Sequence, residues 1–224
     1  MMLSRYDFSV YDFVGADVAL RRLRDKVRRH ENCNCNLVVL VALAPKAAWC
    51  DDAAPTRVTV DNFCRAETDS YFAKFVREGA LGKIQHEREL TPIEKQNVIR
   101  LNRDTLYSFG VFDLEAGPVT VTLPGVGKRF MSLQAINQDH FALDVLYAPG
   151  THSFSNGDVG TRYVAMVLRT FVNPNDSADI EEVHKLQDAI KVEQPGGPGK
   201  FEIPAWDQQS LTKMREALLG VVAA

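Results

Sequence analysis

The chain has 224 residues, of which 46% are hydrophobic and 25% charged, a balance that suits a globular domain with a sizeable core and excludes disorder or a collagen-like fibre. The net charge of −3 is unevenly spread: residues 1–50 carry eight Lys/Arg against five Asp/Glu, which leaves eighteen against twenty-four, or −6, in the remainder. Such a remainder is a poor electrostatic match for nucleic acid or anionic lipid, so neither is expected as a partner.

The first fifty residues read as a leader outside the folded core. A basic stretch from Arg21 to Arg29 is followed by the apolar run Leu37–Ala44 and by Ala48-Trp49-Cys50, with small residues where a signal peptidase would need them. The apolar run is far shorter than the ~20 residues that span a bilayer, so no transmembrane span is expected. This order predicts a periplasmic or secreted protein whose folded domain occupies residues 51–224, behind a leader of atypical length: more than thirty residues precede the apolar run, and Lys46 stands where an ordinary signal is uncharged. Cys33, Cys35 and Cys50 fall in the leader and only Cys64 lies beyond it, so a chain starting near Asp51 forms no internal disulfide. Cys33-Asn34-Cys35 has one intervening residue rather than two and no second ligand pair, and neither a metal nor a cofactor is expected.

Past the leader, Thr59 reads as a helix N-cap. Val60, Phe63, Cys64, Tyr71, Phe72, Phe75 and Val76 then recur at three- and four-residue spacing up to Gly79, which predicts an amphipathic helix. From Leu106 to Val172 the pattern changes to short β-branched and aromatic runs separated by Gly, Pro, Asn and Asp. Val119, Val121 and Leu123 alternate with Thr120 and Thr122, the signature of a strand with one buried face. Further strands are predicted at Leu106–Phe112, Phe130–Ile136, Phe141–Tyr147, Thr151–Phe154 and Tyr163–Val172. Six closely spaced strands with no intervening helix point to an antiparallel sheet or sandwich, so the expected class is mainly β with flanking helices, α+β. Asp176 can cap a helix bearing Ile180, Val183, Leu186 and Ile190 on one stripe. The stretch Gln194–Gly199 reads as a linker, and Asp207 begins a last helix with Leu211, Met214, Leu218 and Val222 on one face. That stripe is expected to stay partly open, and to drive self-association or association with a separately encoded domain.

Three clusters could carry chemistry. Asn102-Arg103-Asp104-Thr105-Leu106-Tyr107-Ser108 stands at the start of an apolar strand, where Arg103 offers an anion site, Asp104 a carboxylate and Tyr107 a hydroxyl. The competing expectation is a turn in which Asn102 and Asp104 bond their own backbone while Arg103 makes an ion pair. Around a hairpin turn lie Gln134, Asn137, Gln138, Asp139 and His140; His140 suits general acid–base work, but Asp139 beside it is more simply a turn residue. Arg162 opens the longest strand and either closes a pocket or pairs with a carboxylate. No Gly-x-Ser-x-Gly elbow occurs, and His86-Glu87-Arg88-Glu89-Leu90 places Leu90 where a zinc protease helix needs its second His.

The stretches Val98–Ser108, Pro118–Pro124, Arg129–Gln134, Gly160–Tyr163 and Gln187-Asp188-Ala189-Ile190, taken in that order, resemble the bacterial family of domains of unknown function called DUF1254, over roughly residues 55–224. The resemblance implies a jelly-roll-like β-sandwich and a signal peptide. In the family's two-domain members a second β-rich domain, DUF1214, follows, and it is missing here. It implies emphasis on Asn102, Arg103, Asp104, Thr105, Tyr107, Gln134, Gly160 and Arg162, and no agreed reaction. Phe141 stands where many relatives carry Tyr. The function expected is a small-ligand-binding or interaction module, with Asn102, Arg103, Gln134 and Arg162 as ligand contacts. The alternative is a hydrolase of small or carbohydrate-like substrates using Asp104, Tyr107 or His140.

Overall fold

The structure is a computed structural model that describes residues 54–90 and 102–222, without the side chains of 221 and 222. The leader expected over residues 1–50 lies outside the described residues. The elements in chain order are α1 (Phe63–Arg77), β1 (Gln85–His86), β2 (Thr105–Asp113), β3 (Val119–Leu123), β4 (Met131–Asn137), β5 (Ala142–Tyr147), β6 (Gly150–Phe154), α2 (Asn156–Val159), β7 (Tyr163–Phe171), α3 (Ser177–Asp188), β8 (Lys191–Glu193) and α4 (Gln208–Val222). Mainly antiparallel sheets with flanking helices are what the sequence predicts, and the six predicted strands correspond to β2 through β7.

Two antiparallel sheets form, one of five strands in the order β1-β2-β7-β4-β5 and one of three in the order β6-β3-β8. Their arrangement is consistent with a jelly-roll. The alternation along β3 puts Val119, Val121 and Leu123 inward, where they meet Met131, Leu133 and Ala135 of β4 and Val164, Met166 and Leu168 of β7. The other face of the larger sheet is covered by α1. Its Phe72 and Phe75 pack on Tyr107, Phe109, Val111, Ile136, Tyr163, Ala165 and Val167. β2 and β7 are therefore buried on both faces, which is why their sequences are apolar runs rather than alternating ones.

The helices follow from their caps. Asp176 accepts from the backbone N–H groups of Ala178 and Asp179 at the start of α3. Gly79, at φ 89°, lies just past α1. The N-cap of α1 is Asn62 rather than Thr59: Asn62 turns its side chain outward to accept from the Thr59 N–H, so the helix starts three residues later than expected. The stripe of α4 is covered in part: Leu211 is buried, Met214 and Leu218 are half-buried, and the side chain of Val222 lies outside the described residues. Leu211, Met214 and Leu218 pack against Val58, Phe63 and Ala66, Arg215 pairs with Glu67 at 2.6 Å, and the exposed apolar residue is Leu219, off that stripe. Nor is Gln194–Gly199 a free linker. Gln194 Nε2 donates to the carbonyls of Asp113 and Gly117, and a Cβ on Gly196 would lie 1.5 Å from the Ala116 carbonyl oxygen. Gly196 and Gly199 serve close packing, while Gly197, at φ 80° with nothing near its Cβ position, serves a left-handed turn.

Two edge strands escaped the sequence pattern, β1 with two residues and β8 with three, both too short to show alternation. The fully buried Gln187 locks the β1 side: its Nε2 donates to the carbonyls of Glu87 and Tyr107 and to Ser108 Oγ. From this packing, Phe72→Ala should cost about 3–5 kcal/mol in urea denaturation. Phe171→Ala, at a ring 44% exposed, should stay within about 0.5 kcal/mol of the wild type.

Candidate functional site

Cross-strand neighbours in an antiparallel ladder share a face, so the register locates each candidate residue. On the α1 side of the larger sheet, one row runs Tyr107, Arg169, Ser132, Tyr147 and the next Phe109, Val167, Gln134, Val145. Beyond the first row Thr105 stands opposite Phe171, whose N–H donates to the Phe130 carbonyl. Phe72 and Phe75 of α1 reach Tyr107 and Val167 but leave Phe130, Val145, Tyr147 and Phe171 exposed. The rings of Phe130 and Tyr147 meet edge-on with centroids 5.9 Å apart, and the Arg169 guanidinium lies over Tyr107, 5.3 Å from the ring centre.

Tyr107 and Gln134, which the sequence marks separately, are thus brought to one face on strands two apart. Asn102, Arg103 and Asp104 stand at the same end of β2. Asn102 Oδ1 accepts from the Asp104 N–H in an Asx turn, and the Asp104 carbonyl accepts from the Val172 N–H, which extends the β2–β7 ladder by one bond. The ion pair expected of Arg103 is not found among the described residues, and its Nε is buried without a hydrogen-bond partner.

Arg162 and His140 lie at the other end. The Arg162 guanidinium holds Asp113 bidentately, Nε to Oδ1 at 3.0 Å and Nη2 to Oδ2 at 2.9 Å, and reaches Glu115 and Glu202 at 3.1 Å. Asp113 is six residues from Tyr107 along one strand, about 20 Å. Arg162 pairs with carboxylates rather than lining a site with Gln134. Burial works against the Asp113 carboxylate, but Arg162 and the backbone N–H groups of Lys200 and Glu115 outweigh it and hold its pKa below the ordinary range. His140 occupies the left-handed region at φ 65°, inside a turn whose Asn137 Oδ1 accepts from the N–H groups of Asp139 and Phe141. Its Nδ1 lies 2.9 Å from Thr68 Oγ1, whose own proton goes to the Cys64 carbonyl, while Asp139 pairs with Arg65 at 2.6 Å. His140 and Asp139 therefore do not act together.

Beside that turn is a fully buried carboxyl that no sequence pattern marks. Asp69 of α1 accepts from Gln138 Nε2 at 2.8 Å and from Trp206 Nε1 at 3.0 Å. Burial raises its pKa despite those bonds and Arg65. All its partners belong to the fold, and it fastens α1 to the β4–β5 turn and the C-terminal segment. A second group missed is the His86–Ser108 pair, Nδ1 to Oγ 2.7 Å, where Ser108 is 1% exposed and also bonded by Gln187. Arg169 was missed as well, although one charge inside the apolar run from Tyr163 to Val172 is a readable signal. Among the described residues no group of three or more His, Cys, Asp and Glu could hold a metal ion.

A protein-family comparison matches residues 81–153 to DUF1254, a protein of unknown function. The match takes in the Asn102–Ser108, Pro118–Pro124 and Arg129–Gln134 stretches and stops before Gly160. No curated protein matches the chain. Among solved structures, the chain is similar to the VPA0106 protein from Vibrio parahaemolyticus, at 16% identity and a TM-score of 0.47. The likeness covers 66% of this chain and 41% of that one, so the chain spans well under half the length of that structure.

The Arg162–Asp113 pair gives a test of its structural role. Arg162→Ala leaves a carboxylate 3% exposed without its cation, a loss of about 3 kcal/mol at neutral pH. Because the folded pKa of Asp113 lies below its unfolded value, the pair's stability is present in full above the ordinary 3.8 and is lost as pH falls through the folded value. Denaturation midpoints of wild type and variant should therefore converge in acid. A gap that persists there assigns the loss to packing instead.

Proposed function

We propose that this domain is a small-molecule-binding module whose working surface is the end of the five-stranded sheet that α1 leaves open. One observation carries the reading: Phe130, Val145, Tyr147 and Phe171 are exposed on adjoining strands of one face, beside the polar groups of Gln134 and Arg169. A contiguous apolar patch edged by a few convergent polar groups is the ordinary make-up of a ligand site. Tyr107, Gln134 and Arg103 serve it as contacts or neighbours, and Arg162 does not.

The hydrolase alternative has less behind it. Asp104 and Tyr107 stand at one end of β2, His140 sits in a turn at the other, and the hydrogen bonds of His140 and Asp139 run to α1. Two groups that share a proton must be within hydrogen-bond reach, and His140 is separated from Asp104 and Tyr107 by most of a strand.

Amide NMR spectra recorded with a library of small aromatic fragments test the binding reading. Signals of Tyr107, Gln134, Val145 and Phe171 should move with the hits, and Phe171→Ser should abolish the response. Hits that gather instead around His86 and Ser108 would overturn it.

The compartment belongs to the proposal too. The order of basic stretch, apolar run and Ala48-Trp49-Cys50 supports export to the periplasm or medium, and no helix among the described residues is long and apolar enough to cross a membrane. Fractionation followed by N-terminal sequencing should find the protein outside the cytoplasm, starting near Asp51. An intact N-terminus in the cytoplasmic fraction rejects export.

A further inference from the structure

We infer that the ligand of this face is a small organic anion, a carboxylate or sulfonate on an aromatic or aliphatic body, held by Arg169 and Arg103 with the Thr105 hydroxyl. The inference rests on the binding reading above and adds to it the charge and the residues that read it.

The part-buried arginines supply the first reason. Arg65, Arg88, Arg129, Arg162 and Arg215 each pair with a carboxylate of the fold. The two remaining part-buried arginines among the described residues, Arg103 and Arg169, pair with none. Both stand at the open end: Arg103 two residues before Thr105, Arg169 directly across from Tyr107. Removing a guanidinium from water without an acid is costly, and proteins tolerate it where an anion is to be met.

Thr105 supplies the second reason. It is 6% exposed, it opens β2 opposite Phe171 on this same face, and its Oγ1 has no hydrogen-bond partner. Buried hydroxyls are nearly always satisfied, so an orphan at the edge of a surface patch marks a place for a missing acceptor. Arg103 Nε is a second buried donor without a partner at the same end of the strand. Nearby acids do not neutralise the pair. Asp104 is exposed and bonds neither arginine, and Asp179 is committed to Arg129 and the Asn173 N–H.

The body of the ligand follows from what surrounds these donors. Phe130, Val145, Tyr147 and Phe171 offer faces and edges of rings and no further charge, so a hydrated inorganic ion gains nothing from them. An organic anion with its acid toward β2 and β7 and its body toward β4 and β5 matches both halves. Planar guanidinium groups recognise planar carboxylates and the oxygens of sulfonates by paired N–H donors.

Two dyes with the same aromatic body separate charge from apolar contact: anilinonaphthalene sulfonate, an anion, and phenylnaphthylamine, its neutral counterpart. Fluorescence titration of the full chain should show the anion bound about tenfold more tightly, an advantage that fades as salt is raised. Arg169→Gln and Arg103→Gln should each weaken the anion toward the neutral dye's level without changing the neutral dye. Arg169→Lys should retain part of the difference. Circular dichroism and the melting temperature of Arg169→Gln should match the wild type, since that side chain makes no ion pair. Equal binding of the two dyes, with both lost in Phe171→Ser, would overturn the anion and leave the binding face standing. Binding of neither dye, or dye binding indifferent to Phe171→Ser, would overturn the binding face and the anion together.

Discussion

β7 is the centre of the five-stranded sheet, and both of its faces must be covered. Its even-numbered residues Val164, Met166 and Leu168 are buried by the three-stranded sheet, and its odd-numbered residues Tyr163, Ala165 and Val167 by α1. The first cover reaches along the strand, because β3 supplies an apolar residue at every second position and β8 and β6 flank it. The second is a single helix whose large anchors on this face are Phe72 and Phe75, joined near Tyr163 by Phe201 and Ile203 of the C-terminal segment. Past Val167 the odd face continues to Arg169 and Phe171, over which no helix lies among the described residues. The open surface is thus a consequence of covering a nine-residue strand pair with two aromatic anchors.

The two ends of that sheet differ in how their polar groups are satisfied. At the covered end Asp113 takes Arg162 and two backbone N–H groups, Asp69 takes Gln138 and Trp206, and Tyr163 Oη donates to Lys200 and accepts from the Glu202 N–H. These bonds tie the C-terminal segment and α1 to the strands. The covered end keeps one orphan acceptor, Gln194 Oε1, whereas at the open end the unpartnered groups are the Thr105 hydroxyl and the Arg103 Nε, two that can donate. Networks that are complete hold one structure in place, whereas incomplete ones cost stability and survive where something outside the fold completes them.

This contrast explains what could be read from the sequence. The strands were legible because β-branched and aromatic runs alternate or cluster between Gly, Pro and Asn, and the cap at Asp176 was legible because a carboxylate before a helix has one common use. Arg162 and His140 left two uses open in the sequence for a physical reason: residue type announces a chemical capacity, and only register says what the capacity is spent on. Arg162 meets Asp113 because Asp113 and Tyr163 are cross-strand partners, and the Lys200 stretch meets both because Gly199 lets it approach Asp113 closely. Neither pairing is local in sequence. The joint placement of Tyr107, Arg169 and Gln134 has the same origin. Three residues from three strands form one surface only after β7 inserts between β2 and β4, an order that no spacing in the chain discloses.

An apolar sheet face beside an edge strand invites pairing with a second copy, and several features here oppose that. β5 carries a bulge against Ala135 and Ile136, and the Asp144 carboxylate takes the Val145 N–H for itself, so the edge offers a broken ladder. At this end of the sheet, Arg103 and Arg169 have no counter-charge among the described residues. Two copies meeting face to face about a twofold axis would bring these guanidinium groups toward their own images, and like charges in a water-poor contact repel strongly. The same unneutralised pair that makes a copy of the chain a poor partner makes an anion a good one. A surface selective in this sense needs no cleft cut deeply into the domain, because the charge excludes one class of partner while the aromatic side chains retain another.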